Sequence, residues 1–127
     1  LVHDAARPMA DAGTIDRVVT TARHGHAAIA ALPVVDTLKE VGADGRIVRT
    51  VERDHLWRAQ TPQGFHRDVI VRAHREARAQ ELSATDDAGL CERLGIPVVV
   101  VRGSERALKI TEDADFERAE ALFRLTE

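Results

Sequence analysis

Directly after an apolar start, the chain sets a carboxylate and a guanidinium three residues apart: Leu1-Val2-His3-Asp4-Ala5-Ala6-Arg7-Pro8. In an open α/β sheet, ligands gather where the chain leaves the carboxyl ends of strands, and Leu1-Val2 reads as such an end. There Asp4 can hold sugar hydroxyls or a hydrated metal ion, and Arg7 can grip a phosphate through paired hydrogen bonds. Further segments carry similar equipment: Asp36-Thr37, Arg53, Thr61-Pro62-Gln63, Thr85-Asp86 and Lys109-Ile110-Thr111. Arg7, Arg53 and Lys109 together can neutralise phosphates while threonine hydroxyls orient them. Thr85 stands where a helix start favours an anion. Each residue also has a plainer reading. Asp4 and Arg7 can be an ion pair across a turn, Thr37 a strand residue, Arg53 a surface charge and Thr85 only an N-cap. Lys109 is harder to dismiss, because a charge between Leu108 and Ile110 needs a partner if that strand is buried.

Composition narrows the classes. The 127 residues make one domain or part of one. A hydrophobic fraction of 44% with only 3% aromatics means that Ala, Val, Leu and Ile do the packing. With 18 basic and 21 acidic side chains, net −3, no bulk field draws nucleic acid or an anionic membrane. One cysteine, Cys91, leaves no internal disulfide and no thiolate-rich metal site, and reads as helix packing. The histidines His3, His24, His26, His55, His66 and His74 lack metal-ligand spacing and receive no ligand role. No nucleophile elbow or Ser/His/Asp order is present. No apolar run reaches membrane-spanning length and no signal peptide is seen, so a cytoplasmic location is expected. The apolar start without Met reads as the interior of a strand, so these residues are expected to be the later part of a longer protein.

Helix and strand signals alternate, which indicates an α/β layered fold. Thr14 is expected to cap a helix using Ile15, Val18, Val19 and Ala22 and ending at Gly25. Ala27 to Val35 reads as a buried strand. The segments 37–41 and 46–51, joined by Gly42, Asp44 and Gly45, read as a polar hairpin that projects from the body and packs on a second subunit. An amphipathic helix spans 67–80, with Val69, Ile70, Ala73 and Ala77 on one face. Thr85 is expected to cap a helix using Ala88, Cys91 and Leu94. Pro97 to Val101 reads as a strand buried on both faces, and Leu108-Lys109-Ile110 as a short strand. Thr111 is expected to cap a last helix that turns Phe116, Ala119, Leu122 and Phe123 inward. Trp57 reads as core or subunit contact.

The motifs in order are His3-Asp4-Ala5-Ala6-Arg7-Pro8, Val34-Val35-Asp36-Thr37-Leu38-Lys39, Leu56-Trp57-Arg58-Ala59-Gln60-Thr61-Pro62-Gln63-Gly64-Phe65, Thr85-Asp86-Asp87-Ala88 and Leu108-Lys109-Ile110-Thr111. Over essentially the whole chain this order resembles the 2-C-methyl-D-erythritol 4-phosphate cytidylyltransferase family. The resemblance implies a Rossmann-like three-layer nucleotidyltransferase fold, here a partial sheet with a projecting β-arm over residues 38–53. Residues 1–127 would form the C-terminal part of a single nucleotidyltransferase domain. It further implies a homodimer, a magnesium requirement, and the joining of CTP to methylerythritol phosphate with release of pyrophosphate. Carried over residue by residue, Arg53 and Lys109 would position the sugar phosphate for attack. Thr37, Thr61 and Thr85 would contact its phosphate or hydroxyls, and Asp4 and Arg7 would meet substrate and nucleotide, with Asp4 a possible metal ligand. In the family the arm reaches across the dimer.

The family's glycine-rich loop, whose arginine and lysine embrace the CTP phosphates, is not among these residues, nor is its cytosine-reading segment. On this resemblance the chain would hold most of the sugar-phosphate half of the site and little of the nucleotide half. Taken alone, it is expected to show no transferase activity and an incomplete sheet. The related ribitol 5-phosphate cytidylyltransferases are the nearest alternative, although the first two motifs look more like the methylerythritol enzymes. A bifunctional protein with a following cyclodiphosphate synthase domain, and a non-catalytic sugar-phosphate-binding or dimerisation module, also remain open at this point.

Overall fold

The computed structural model describes residues 1–25 and 27–125. His26, given no ligand role above, lies outside the described residues. At the centre is strand β1 (Ala27–Pro33), built almost wholly of small apolar side chains. Ala28, Ala30 and Ala31 have no solvent exposure, so neither face of the strand meets water. Two further strands flank it: β4 (Trp57–Gly64), antiparallel, and β5 (Val98–Arg102), parallel, giving the order β4-β1-β5. Val2 bridges to Gln63 on the outer edge of β4, so the opening residues do lie along the sheet.

Helix α1 (Ala12–Arg23) packs across all three strands, and α3 (Asp87–Arg93) packs against β1, β5 and α2 (Arg67–Ala79). Where α1 crosses β4 the approach is close. A Cβ on Gly64 would stand 2.7 Å from the Val18 side chain, so glycine is required for the helix to seat. The hairpin expected from the sequence is present as β2 (Leu38–Val41) and β3 (Ile47–Val51). Its turn is closed by Gly42 and Gly45 bonds, with Gly45 at φ +82°. Leu38, Val41, Ile47 and Val48 are exposed on it. A short 3₁₀ turn (Glu105–Ala107) and helix α4 (Asp113–Arg124) complete the chain.

Several expectations need correction. All three threonine caps shift to a neighbouring carboxylate residue: Asp11 rather than Thr14, Asp86 rather than Thr85, Glu112 rather than Thr111. A carboxylate accepts from orphan helix N–H groups and also suits the positive end of the dipole, so it prevails over a nearby hydroxyl. With Asp86 capping α3, that helix start is taken by protein and is not an open anion site. Residues 108–110 form no strand; one bond, Ile110 N–H to the Ala6 carbonyl at 2.8 Å, pins an extended loop. Strand β5 is not buried on both faces, since it is an edge strand with Val99 and Val100 at 38% and 45% exposure. On α4 the buried residues are Asp115 and Ala119, whereas Phe116 and Phe123 face out. Trp57 is also partly exposed rather than core. Strand β4 has no counterpart among the elements expected from the sequence.

Asp11 anchors α1 through both carboxylate oxygens: Oδ2 accepts the Thr14 N–H at 3.0 Å and Oδ1 the Thr14 hydroxyl at 2.6 Å. The hydroxyl bond chiefly holds its pKa below the ordinary carboxylate value. A depressed folded pKa adds stability above the unfolded value and loses it as pH falls through the folded one. Asp11→Ala is therefore expected to cost about 1 kcal/mol near neutral pH. The gap to wild type should shrink below about pH 4. Urea unfolding of both proteins at neutral and acid pH checks this.

Candidate active site

The site begins with a break in pairing. Between Ile29, opposite Gln63, and Ala31, opposite Ala59, the register of β1 and β4 slips. Gln60, Thr61 and Pro62 therefore stand opposite Ala30 alone. Bulges of this kind tolerate a residue without an N–H and re-aim side chains beside functional sites. The Thr61–Pro62 peptide bond is cis.

Each re-aimed side chain holds one wall of a cleft. The Thr61 hydroxyl oxygen accepts the Asp4 N–H at 3.0 Å and lies 2.9 Å from His3 Nδ1. Gln60 clasps Ser104 at both ends, accepting its N–H at 3.2 Å and donating to its carbonyl at 2.9 Å. A Cβ on Gly103 would come within 2.2 Å of Gln60 Oε1, so a larger residue there would have to displace the Gln60 amide from this clasp. Gln63 is 2% exposed, and its amide is bonded at both ends. Its Nε2 donates to Asp86 Oδ2 at 2.9 Å and to the Gln60 carbonyl, and its Oε1 accepts the Ala88 N–H at 3.1 Å. Its backbone exchanges two bonds with Val2, at 2.8 and 2.9 Å.

These holders bring Asp4, Arg7, Thr61, Thr85 and Lys109 to one cleft of about 240 Å³, lined also by Gln60, Gln63, Asp86 and Asp87. Asp4 Oδ2 sits between two cations, 3.3 Å from Arg7 Nε and 3.6 Å from Lys109 Nζ. The Arg7 side chain is 12% exposed, and its Nη1 donates to the Ala107 carbonyl at 2.6 Å. Lys109 thus has the partner its sequence context called for, although it sits on a loop and is half exposed. The other carboxylates are engaged. Asp86 caps α3 and accepts from Gln63, and Asp87 meets His74 Nε2 at 2.5 Å. A second cavity of about 420 Å³, which shares Arg7, Gln60 and Lys109 with the first, is lined also by Thr111 and Asp115. The Asp115 carboxyl lies below its usual value, mainly because the Thr111 N–H donates to it. Burial pushes the Cys91 thiol pKa up, consistent with its packing role.

Two candidates do not join this cleft. Thr37 is exposed at the hairpin base, where Arg53 Nη1 donates to the Val35 carbonyl at 2.8 Å. Neither lines the cleft within one chain. The sequence missed the holders His3, Gln60 and Gln63 as functional. For Gln60 and Gln63 the signal is the run of amide and hydroxyl side chains beside Pro62, where a buried strand would carry apolar residues. A larger groove of about 470 Å³ runs along α2, but it is mainly apolar in lining and gathers no convergent polar set. No cluster of three or more His, Cys, Asp or Glu suited to a metal occurs among the described residues. No described helix is long and apolar enough to cross a membrane.

A bulged strand feeding an Asp-Arg-Lys cleft at the sheet's edge places this chain among nucleotidyltransferase-like α/β proteins. A solved 2-C-methyl-D-erythritol 4-phosphate cytidylyltransferase from Thermus thermophilus superposes with a TM-score of 0.90 at 44% identity, over 98% of this chain and 61% of that one. The family model for IspD, 2-C-methyl-D-erythritol 4-phosphate cytidylyltransferase, matches residues 1–125, and the chain belongs to that family. A relative of that name from Pelotomaculum thermopropionicum is 50% identical over 98% of this chain and 52% of its own length. A bifunctional IspD/IspF enzyme from Rhodospirillum rubrum is 52% identical over 98% of this chain and 32% of its own length. The chain spans about half the length of the monofunctional curated relatives it matches.

Because Gln63 is buried with its amide fully engaged, Gln63→Leu leaves the Ala88 N–H and an Asp86 oxygen without their partner. The expected cost is about 2–3 kcal/mol of stability. Chemical denaturation measures it, and an unchanged midpoint would contradict the assignment.

Proposed function

We propose that this chain supplies the sugar-phosphate half of a 2-C-methyl-D-erythritol 4-phosphate cytidylyltransferase. The observation that carries this reading is the convergence of Asp4, Arg7, Thr61, Thr85 and Lys109 in one cleft of a chain from that family. The ribitol 5-phosphate alternative is not favoured, since the relatives reported above carry the methylerythritol or IspD name. In the proposed reaction a phosphate oxygen of methylerythritol phosphate attacks the α-phosphorus of CTP. A new P–O bond forms as the bond to pyrophosphate breaks. Little covalent chemistry falls to the protein, so its work is positioning and charge stabilisation. Lys109 and Arg7 hold negative charge near the attacking group, and Asp4 fixes both cations while accepting from sugar hydroxyls.

A magnesium ion is compatible with this donor set in one form only. Mg²⁺ commonly takes one or two carboxylates together with substrate phosphates rather than an all-protein cage. Asp4 is the cleft carboxylate not committed to a helix cap or to a histidine, so it would hold the ion with nucleotide phosphates. The ion would then supply charge neutralisation at the phosphates.

Thr37 and Arg53 enter the site from a partner chain on this reading. The hairpin of residues 38–53 acts as a dimerisation arm and delivers them to the cleft of the opposite subunit, making a homodimer the working unit. Residues 1–127 are the C-terminal part of one nucleotidyltransferase domain, working in the cytoplasm.

The test is pyrophosphate release from CTP with methylerythritol phosphate or ribitol 5-phosphate, using the protein in its natural length. Preference for ribitol 5-phosphate, or release with neither, would overturn the proposal. Lys109→Ala and Arg53→Ala are each expected to lower kcat/KM by about 100-fold or more. Co-expressed as a mixed dimer, the two variants should regain activity, because one of the two sites then holds both intact residues. No recovery in isolated mixed dimers would contradict the shared site.

A further inference from the structure

We propose that His3, which is exposed and does not line the cleft, is a positioning residue that sets the direction of the Thr61 hydroxyl. This rests on the functional reading above for what the cleft binds, and on hydrogen-bond valence for the rest. His3 Nε2 lies 2.9 Å from the Arg7 carbonyl oxygen, which can only accept, so Nε2 carries the hydrogen. In the neutral ring Nδ1 is then a bare acceptor. It lies 2.9 Å from the Thr61 oxygen, so Thr61 donates its single hydrogen to His3. One Thr61 lone pair is already taken by the Asp4 N–H at 3.0 Å. What Thr61 keeps for the cleft is its second lone pair.

Locked in this way, Thr61 accepts from a donor and cannot donate to a phosphoryl oxygen. It therefore reads a hydroxyl of the sugar alcohol and leaves the phosphate to the cations. Thr61 is 8% exposed, so water does little to compensate a hydroxyl turned the wrong way. His3 also ties the two ends of the Asp4–Arg7 turn, through Thr61 at one end and the Arg7 carbonyl at the other.

The two ring nitrogens can be tested apart. In His3→Asn the side-chain oxygen can occupy the Nδ1 position and keep the Thr61 bond. In His3→Gln the amide can reach the Nε2 position and keep only the Arg7 carbonyl bond. Binding of methylerythritol phosphate, measured by calorimetry, should stay within about twofold of wild type for His3→Asn. It should weaken about five- to tenfold for His3→Gln and for His3→Phe, the loss expected for one hydrogen bond. Affinity for inorganic phosphate should not change in any of them. The reverse ranking, with Gln rescuing and Asn failing, would assign His3 to holding the turn and overturn the proposal, as would equal affinity in all three variants.

Nitrogen-15 shifts of the His3 ring give a readout independent of substrate. Protonated Nε2 with unprotonated Nδ1, the latter shifting in Thr61→Val, is expected; a protonated Nδ1 overturns the lock. If wild-type protein shows the expected tautomer yet binds no sugar phosphate, the lock stands and the functional reading fails.

Discussion

A primary amide buried in a sheet must have its donors and acceptor met from within the protein, and Gln63 meets that demand from its own strand and from the start of α3. Its backbone fixes Val2, two residues before Asp4, while its side chain fixes Asp86, next to Thr85. Two walls of the cleft thus hang from one residue that stands beside the bulge opposite Ala30. Gln60 extends the same logic to the third wall, since its clasp on Ser104 leads the chain toward Lys109. The cleft is shaped by side-chain amides because its walls are irregular segments with no ladder to hold them. A buried loop in such a place needs side-chain partners for its backbone groups.

What the sequence discloses follows the same division. Regular, locally determined elements are legible: the alanine run of β1, the hairpin with Gly45 at its turn, and the amphipathic face of α2 with Ala73 and Ala77 buried. Of the seven candidate site residues, Asp4, Arg7, Thr61, Thr85 and Lys109 fall together in one cleft while Thr37 and Arg53 lie outside it; singly each is a weak signal, and it is the order of the motifs that singles them out. Strand β4 is hidden because the bulge destroys the alternation by which strands are recognised, and Pro62 reads as a breaker. The threonine caps are misplaced because each lies within three residues of a carboxylate, and propensity alone does not rank the two. Exposure of Phe116 and of the β5 valines is a tertiary fact, set by what packs on the edge strand and on α4, and no local pattern encodes it.

The charges of the cleft show why Asp4 matters beyond its own contacts. Arg7 and Lys109 lie on segments far apart in sequence, and like charges brought together repel. A carboxylate oxygen within 3.6 Å of both lowers that cost and fixes where the cations stand. Arg7 is further restrained by the Ala107 carbonyl and little exposed, so it is oriented in advance of any ligand. Lys109, paired with Asp4 and with about half its surface in water, keeps a freedom to turn that Arg7 lacks. The pair thus combines a fixed guanidinium fork with an adjustable ammonium, matching the different geometry of the two groups.

The hairpin gives the strongest structural support for a shared site. A lone two-stranded ribbon is marginal in water, and this one leaves Leu38, Val41, Ile47 and Val48 exposed, held by its backbone ladder and by cross-strand polar pairs such as Arg49–Glu40. Apolar side chains on such an arm gain most if another surface covers them. Arg53 and Thr37 sit at its base, outside the cleft of their own chain. An arm that docks on a second copy would cover the apolar residues and carry a cation and a hydroxyl toward the opposite cleft in the same movement. On the proposed reading, assembly and completion of the site are then one event, which explains why so polar a segment carries large apolar side chains that its own chain leaves exposed.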